Sequence, residues 1–95
     1  MKLHELKTIN PYFNEVWNDR KLFDVRKNDR DFEVGDVLWL RECDIHVGIA
    51  SYLKREIIAE VTYVLKDVEK FGVKNGYCVM SIKILKKRYV ENEEE

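Results

Sequence analysis

The chain has 95 residues, 45% of them hydrophobic and 37% charged, with a formal net charge of −1. That length supports one compact core, and the near-zero charge speaks against a bulk polyanion binder. No apolar run approaches the roughly 20 residues needed to cross a bilayer.

The 17 basic residues stand against 18 acidic ones, but Glu91, Glu93, Glu94 and Glu95 crowd the end of the chain, so the remainder is mildly basic. Residues 1–90 are read as a single domain and 91–95 as an acidic, disordered tail. The first residues, MKLHELKT, contain no apolar signal core. Cys43 and Cys78 are far apart and form no CxxC motif. They read as two buried thiols of a cytoplasmic protein. Only His4 and His46 could join them around a metal, without finger spacing, so neither a metal nor a cofactor is expected.

In chain order, residues 2–8 (KLHELKT) read as a short strand. Residues 9–20 (INPYFNEVWNDR) read as a helix, with Asn10 as N-cap and Pro11 at the first helical position. Phe13, Val16, Trp17 and Arg20 fall on one face of it, which makes Trp17 a core residue. Residues 21–27 (KLFDVRK) alternate, which predicts a half-buried strand with Phe23 and Val25 inward and Leu22, Asp24 and Arg26 outward. Residues 28–36 form a turn-rich connection in which Asn28, Asp29 and Asp31 suit local bonds to the backbone, and Gly35 takes a positive φ.

Residues 36–43 (DVLWLREC) read as a strand buried on both sides, and 44–54 as a loop or lid with little period. Residues 55–66 (REIIAEVTYVLK) are the clearest strand, with Ile57, Ala59, Val61, Tyr63 and Leu65 on one face. A turn-rich connection leads to the last strand, 77–87 (YCVMSIKILKK), with Cys78, Met80, Ile82 and Ile84 inward. This order predicts a mainly β domain of the α+β class: a closed or nearly closed small β-barrel with the N-terminal helix at one end. Phe23, Val25, Ile57, Val61, Tyr63, Met80 and Ile82 would share its core.

Between Arg20 and Arg30, five basic residues face only Asp24 and Asp29. Such an excess beside a cleft attracts a short single strand without making the whole protein basic. Arginine offers a planar fork to phosphate or a base edge, lysine a point charge. Asp24 can orient Arg26 or accept from a base amino group. The plain alternative is an exposed Asp24–Arg26 pair on one strand face, which contributes roughly 0–1 kcal/mol and implies no function. His4 shares a strand face with Leu6 and Thr8, either packed and hydrogen-bonded or at a cleft mouth. His46 is expected in solvent. Tyr52 and Phe71 are expected on loops, as hydrophobic pegs or as surfaces for base stacking.

Three blocks, LHELKTINPYFNEV, KLFDVRKNDRDFEVGDVLWLRE and VTYVLKDVEKFGVKNGYCVMSIKIL, in that order resemble a small bacterial and phage family of unknown function within the ASCH group of PUA-like domains. The group's signature, Gly-x-Lys-x-x-Glu-x-Arg, is matched by Lys21 and Arg26, with Asp19 in place of Gly and Asp24 in place of Glu. The resemblance implies a PUA-like β-barrel whose cleft, beside the first helix, binds RNA or a modified nucleotide. Lys21, Arg26, Lys27, Asn28, Arg30 and His4 are the candidate contacts. Some small ASCH proteins resemble amidohydrolases that deacylate acetylated cytidine, with the signature Lys, a Thr where this chain has Asp24, and a distant Glu. An enzyme of that kind would rest here on Lys21 and Asp24. A third reading is a protein-interaction module that uses residues 44–53 or the acidic tail against a host protein.

Overall fold

A computed structural model describes residues 1–90; the acidic tail lies outside the described residues. Alternation along the chain becomes five strands: β1 (Leu3–Ile9), β2 (Phe23–Lys27), β3 (Val37–His46), β4 (Ile49–Leu65) and β5 (Tyr77–Tyr89). A short helix, α1 (Tyr12–Trp17), separates β1 from β2, and Glu69–Phe71 form one 3-10 turn before β5. The strands make one sheet in the order β1-β3-β4-β5-β2. β3, β4 and β5 are an antiparallel meander, β2 runs antiparallel to β5, and β1 runs parallel to β3.

The sheet curls into a half-barrel rather than a closed barrel. β1 and β2 are its two edges and do not pair with each other. Register shifts at Arg41/Cys43, Ile58/Ala59 and Val61/Tyr63 are bulges, which bend a strand and increase its twist. On the outer face an ionic row crosses four strands: Glu5 to Arg41 at 2.6 Å, Arg41 to Glu56 at 3.4 Å, and Glu56 to Arg88 at 2.8 Å.

The inner face buries Leu6, Leu38, Leu40, Ile57, Ala59, Val61, Cys78, Met80 and Ile82 against Phe13 and Val16 of α1 and Phe32. Ile57, Val61, Met80 and Ile82 therefore lie where their spacing places them. Phe23, Val25 and Tyr63 do not: they are 45%, 53% and 60% exposed. β2 is turned the other way, with Asp24 inward and only 6% exposed. Tyr63 is displaced by the bulge after Val61, which sets Tyr63 opposite Ser81 on the outer face and Val64 opposite Met80 inside. β3 buries Leu38 and Leu40 but leaves Val37 and Trp39 half-covered, so it is buried on one side only.

The helix is six residues long, about half the predicted span. Pro11, not Asn10, takes the N-cap position, yet Asn10 Oδ1 still accepts from the Asn14 N–H at 3.0 Å. Trp17 is half-buried and stacks on Phe13 with ring centroids 6.1 Å apart. Residues 44–54 are neither loop nor lid. β3 and β4 continue through them as a hairpin whose two-residue turn, Val47–Gly48, has φ of 52° and 78°, as a primed turn requires. Both faces of this arm are exposed, which is why it shows no hydrophobic period. Tyr52 consequently sits on β4, with the Arg41 guanidinium 3.6 Å from its ring centroid.

Two buried carboxylates hold the sheet ends. Asp36 lies 2.9 Å from His4 Nε2 and accepts the backbone N–H groups of Lys2 (2.9 Å) and Glu33 (3.0 Å). Burial alone would raise the Asp36 carboxyl, but these partners outweigh it and hold it below its ordinary value of 3.8. Glu42 accepts two bonds from Arg55 and one from Asn10. The Arg55 bonds, opposed by burial, keep its carboxyl below the ordinary 4.5. Arg55 also lies over the rings of Phe13 and Trp17, at 5.2 and 4.9 Å, so this cluster ties α1 to the sheet. No helix among the described residues is long and apolar enough to cross a membrane.

Val61→Ala should cost about 1–3 kcal/mol through lost burial and a cavity, whereas Val25→Ala should change stability by less than about 0.5 kcal/mol. Urea denaturation checks both, and equal losses would show that the faces are misassigned. The lowered carboxyls also set an acid limb. Asp36 and Glu42 contribute stability that is fully present above their unfolded values and is lost as pH falls through their folded ones. The melting temperature should therefore drop below about pH 4, and Asp36→Asn with Glu42→Gln should flatten that limb; an unchanged slope would exclude these two groups as its source.

Candidate functional site

Because β1 and β2 do not pair, a cleft of about 440 Å³ opens between them. It is lined by Lys7, Thr8 and Ile9 of β1, Tyr12 of α1, Lys21, and Phe23 through Arg26 of β2. This volume falls within the range of small-molecule sites, about 300–1,000 Å³.

The end of α1 delivers Lys21 to the cleft. The Asp19 N–H donates to Val16 O at 3.0 Å and the Arg20 N–H to Glu15 O at 2.9 Å, the paired bonds of a Schellman motif. The Lys21 N–H shares the Glu15 acceptor at 3.0 Å. Asp19 takes φ 60°, in the left-handed region that glycine adopts freely and that Asp tolerates better than most residues. Lys87 Nζ holds its carboxylate at 2.9 Å. Asp19 therefore closes this turn without a glycine.

Buried polar groups lie deep in the cleft. Asp24 accepts Lys21 Nζ on Oδ1 at 3.2 Å and Arg26 Nε on Oδ2 at 2.8 Å. Lys21 also donates to Phe23 O at 2.8 Å. Arg26 Nη2 reaches across to β1 and donates to Lys7 O and Thr8 Oγ1, both at 3.1 Å. Arg26 therefore spans the gap between the two sheet edges. Arg30, in the connection after β2, also reaches β1, with Nη1 donating to Glu5 O at 2.9 Å. Around this polar floor the more exposed side chains of Phe23, Val25, Ile9 and Tyr12 form the rim.

The structure brings Lys21, Asp24 and Arg26 together but places the other candidates outside the cleft lining. His4 is the buried partner of Asp36, its ring 4.6 Å from Phe32. Asn28 shapes the connection: its side chain accepts the Phe32 N–H and its own N–H donates to Gly76 O. Lys27 is exposed on β2, opposite Tyr77. Arg20 is paired with Glu15. The basic run is thus largely paired, and its free charge is smaller than a count of residues suggests.

Lys7, Thr8, Ile9 and Tyr12 belong to the cleft through topology, and no motif in the sequence marks them. Cys78, opposite Arg26 on β5, is not poised as a nucleophile, since burial pushes its thiol up and the Asp24 charge adds to the shift. The Thr8 hydroxyl is engaged by Arg26. Among the described residues no group of three or more His, Cys, Asp or Glu is arranged to hold a metal.

Residues 3–82 match the model of a family described as a domain of unknown function, DUF3850. A search of curated proteins found no match. The family match spans most of the chain, and the chain belongs to the DUF3850 family.

Proposed function

We propose that this DUF3850 member binds RNA or a nucleotide in the cleft between β1 and β2, and that its half-barrel is a PUA-like domain of the ASCH type. The observation that carries this reading is the convergence of Lys21, Asp24 and Arg26 in one cavity of nucleotide size. Tyr12 and Phe23 at the rim offer faces on which a base can stack. Lys7 and Lys21 supply charge for phosphate, and Arg26, whose fork is fixed by Asp24, Lys7 and Thr8, can turn its Nη1 hydrogens to a base edge beside the Asp24 carboxylate. The helix beside the cleft and the mainly β sheet suit the same reading. The two buried, unpaired cysteines suit a reducing compartment such as the cytoplasm.

Fluorescence anisotropy with labelled single-stranded RNA, titrated with salt, tests the proposal. With Lys7 and Lys21 each meeting a phosphate, log affinity should fall against log salt with a slope of roughly −1.4, about −0.7 per contact on single strands. Lys7→Ala should flatten it by about 0.7. Arg26→Ala should weaken binding by roughly 1–3 kcal/mol, and Arg26→Lys should not restore it, because a point charge does not replace the fork. Absence of binding at low salt, or parental affinity in a folded Arg26→Ala variant, would overturn the proposal.

A further inference from the structure

The outer face of β2, β5 and β4 is apolar where an antiparallel sheet facing water is ordinarily polar. The register sets Tyr63, Ser81 and Phe23 in one row, Leu65, Val79 and Val25 in the next, and Tyr77 beside Lys27 in the third. Phe23, Val25, Tyr63, Leu65 and Tyr77 are all exposed. A second cavity of about 330 Å³ lies at the end of this face, between β5 and the segment after the 3-10 turn; Val25, Lys74 and Tyr77 are among its lining residues. Val25 lines this cavity and the cleft alike, so only the width of β2 at Val25 separates them.

The charged side chains over the exposed rows are lysines. Lys21 Nζ lies 4.9 Å from the Phe23 ring centroid at one end, and Lys74 Nζ lies 5.6 Å from that of Tyr77 at the other. Lys27 stands between them on β2, and the three rows contain no carboxylate. Asp24 alternates inward from this face and pairs with Lys21 at 3.2 Å, while Glu69, in the connection before β5, is bonded to Asn75. Aromatic faces on a sheet, interleaved with lysines, are the elements that bind single strands by stacking and backbone charge. Successive outward side chains of a strand are about 7 Å apart, within reach of one extended nucleotide.

We propose that the ligand is a single strand of several nucleotides rather than a free nucleotide. One base lodges in the cleft, the backbone crosses Val25 under Lys27, and a further base stacks on Tyr77 beside Lys74 in the second cavity. This rests on the reading of the cleft as a nucleotide site and adds the length and path of what occupies it.

The test compares uridine monophosphate with uridine oligonucleotides of two, four and six residues, competed against a labelled hexamer. Parent, Tyr77→Ala, Tyr77→Phe, Lys74→Glu and Arg26→Ala are measured, with folding checked by circular dichroism. Affinity should rise at least tenfold from monomer to hexamer. Tyr77→Ala should lose roughly fivefold to a hundredfold for the hexamer, the value of one base–aromatic stack, and leave the monomer unchanged. Tyr77→Phe should retain the gain, and Lys74→Glu should weaken only the longer ligands. Arg26→Ala should weaken every length.

Equal affinity for monomer and hexamer would overturn the strand while leaving the cleft reading in place. A length-dependent gain untouched by both Tyr77→Ala and Lys74→Glu would overturn this path. A concentration-dependent dimer in sedimentation, abolished by Tyr63→Ser, would assign the face to self-association instead. Binding of no nucleotide at any length would remove the cleft reading, and the strand with it.

Discussion

The free edge of β1 is met by guanidinium groups, Arg26 of β2 and Arg30 of the connection after it, and not by a backbone ladder. β1 presents the carbonyls of Glu5 and Lys7 on its free edge, and Arg30 and Arg26 donate to them. Backbone acceptors on an edge need partners, and a strand edge left bare is a template for pairing with another chain. Here the side chains supply the partners while keeping β1 and β2 apart. A direct ladder would bring the strands to within about 5 Å and abolish the cleft. The open half-barrel, the cavity and the protected edge all follow from this one substitution of side chain for backbone.

The same constraint explains why β2 faces the way it does. Arg26 must point inward along the sheet edge to reach Lys7 and Thr8, and the alternation of the strand then carries Asp24 inward with it. A buried carboxylate is costly unless it is paired and hydrogen-bonded. Lys21 and Arg26 meet that need at 3.2 and 2.8 Å. Phe23 and Val25 are left on the outside as a consequence. The polar floor of the cleft and the apolar outer face are thus two sides of one strand.

The strands were readable where burial is one-sided and regular. Ile57, Ala59 and Val61 in β4, and Cys78, Met80 and Ile82 in β5, follow period two and are buried. Alternation in β2 reports two faces but not which of them is inner, and hydrophobicity chose the wrong one because the inner face there is ionic. Tyr63 failed for a different reason: a bulge adds a residue without any change in composition to announce it. The arm at 44–54 left no period because water reaches both its faces. At the site, Lys21, Asp24 and Arg26 stood out as part of the charged run from Arg20 to Arg30, and their spacing set Asp24 and Arg26 on one strand face. The β1 half of the cleft was not legible, since it depends on β1 lying beside β3 and leaving its other edge free.

The sheet order also has a consequence for how the chain assembles. β3, β4 and β5 follow one another in sequence and in space, so their pairing closes only short loops. β1 and β2 must each find a partner distant in sequence, β3 for one and β5 for the other, across a larger loss of chain entropy. On loop-closure entropy the meander is expected to form before the two edges join it. Edge strands, laddered on one side only, open at lower free energy than the central ladder. Amide hydrogens of β2 should accordingly exchange faster than those at the centre of β4, and a ligand seated between the edges should slow that exchange by tying the two last-joined pieces of the sheet to each other.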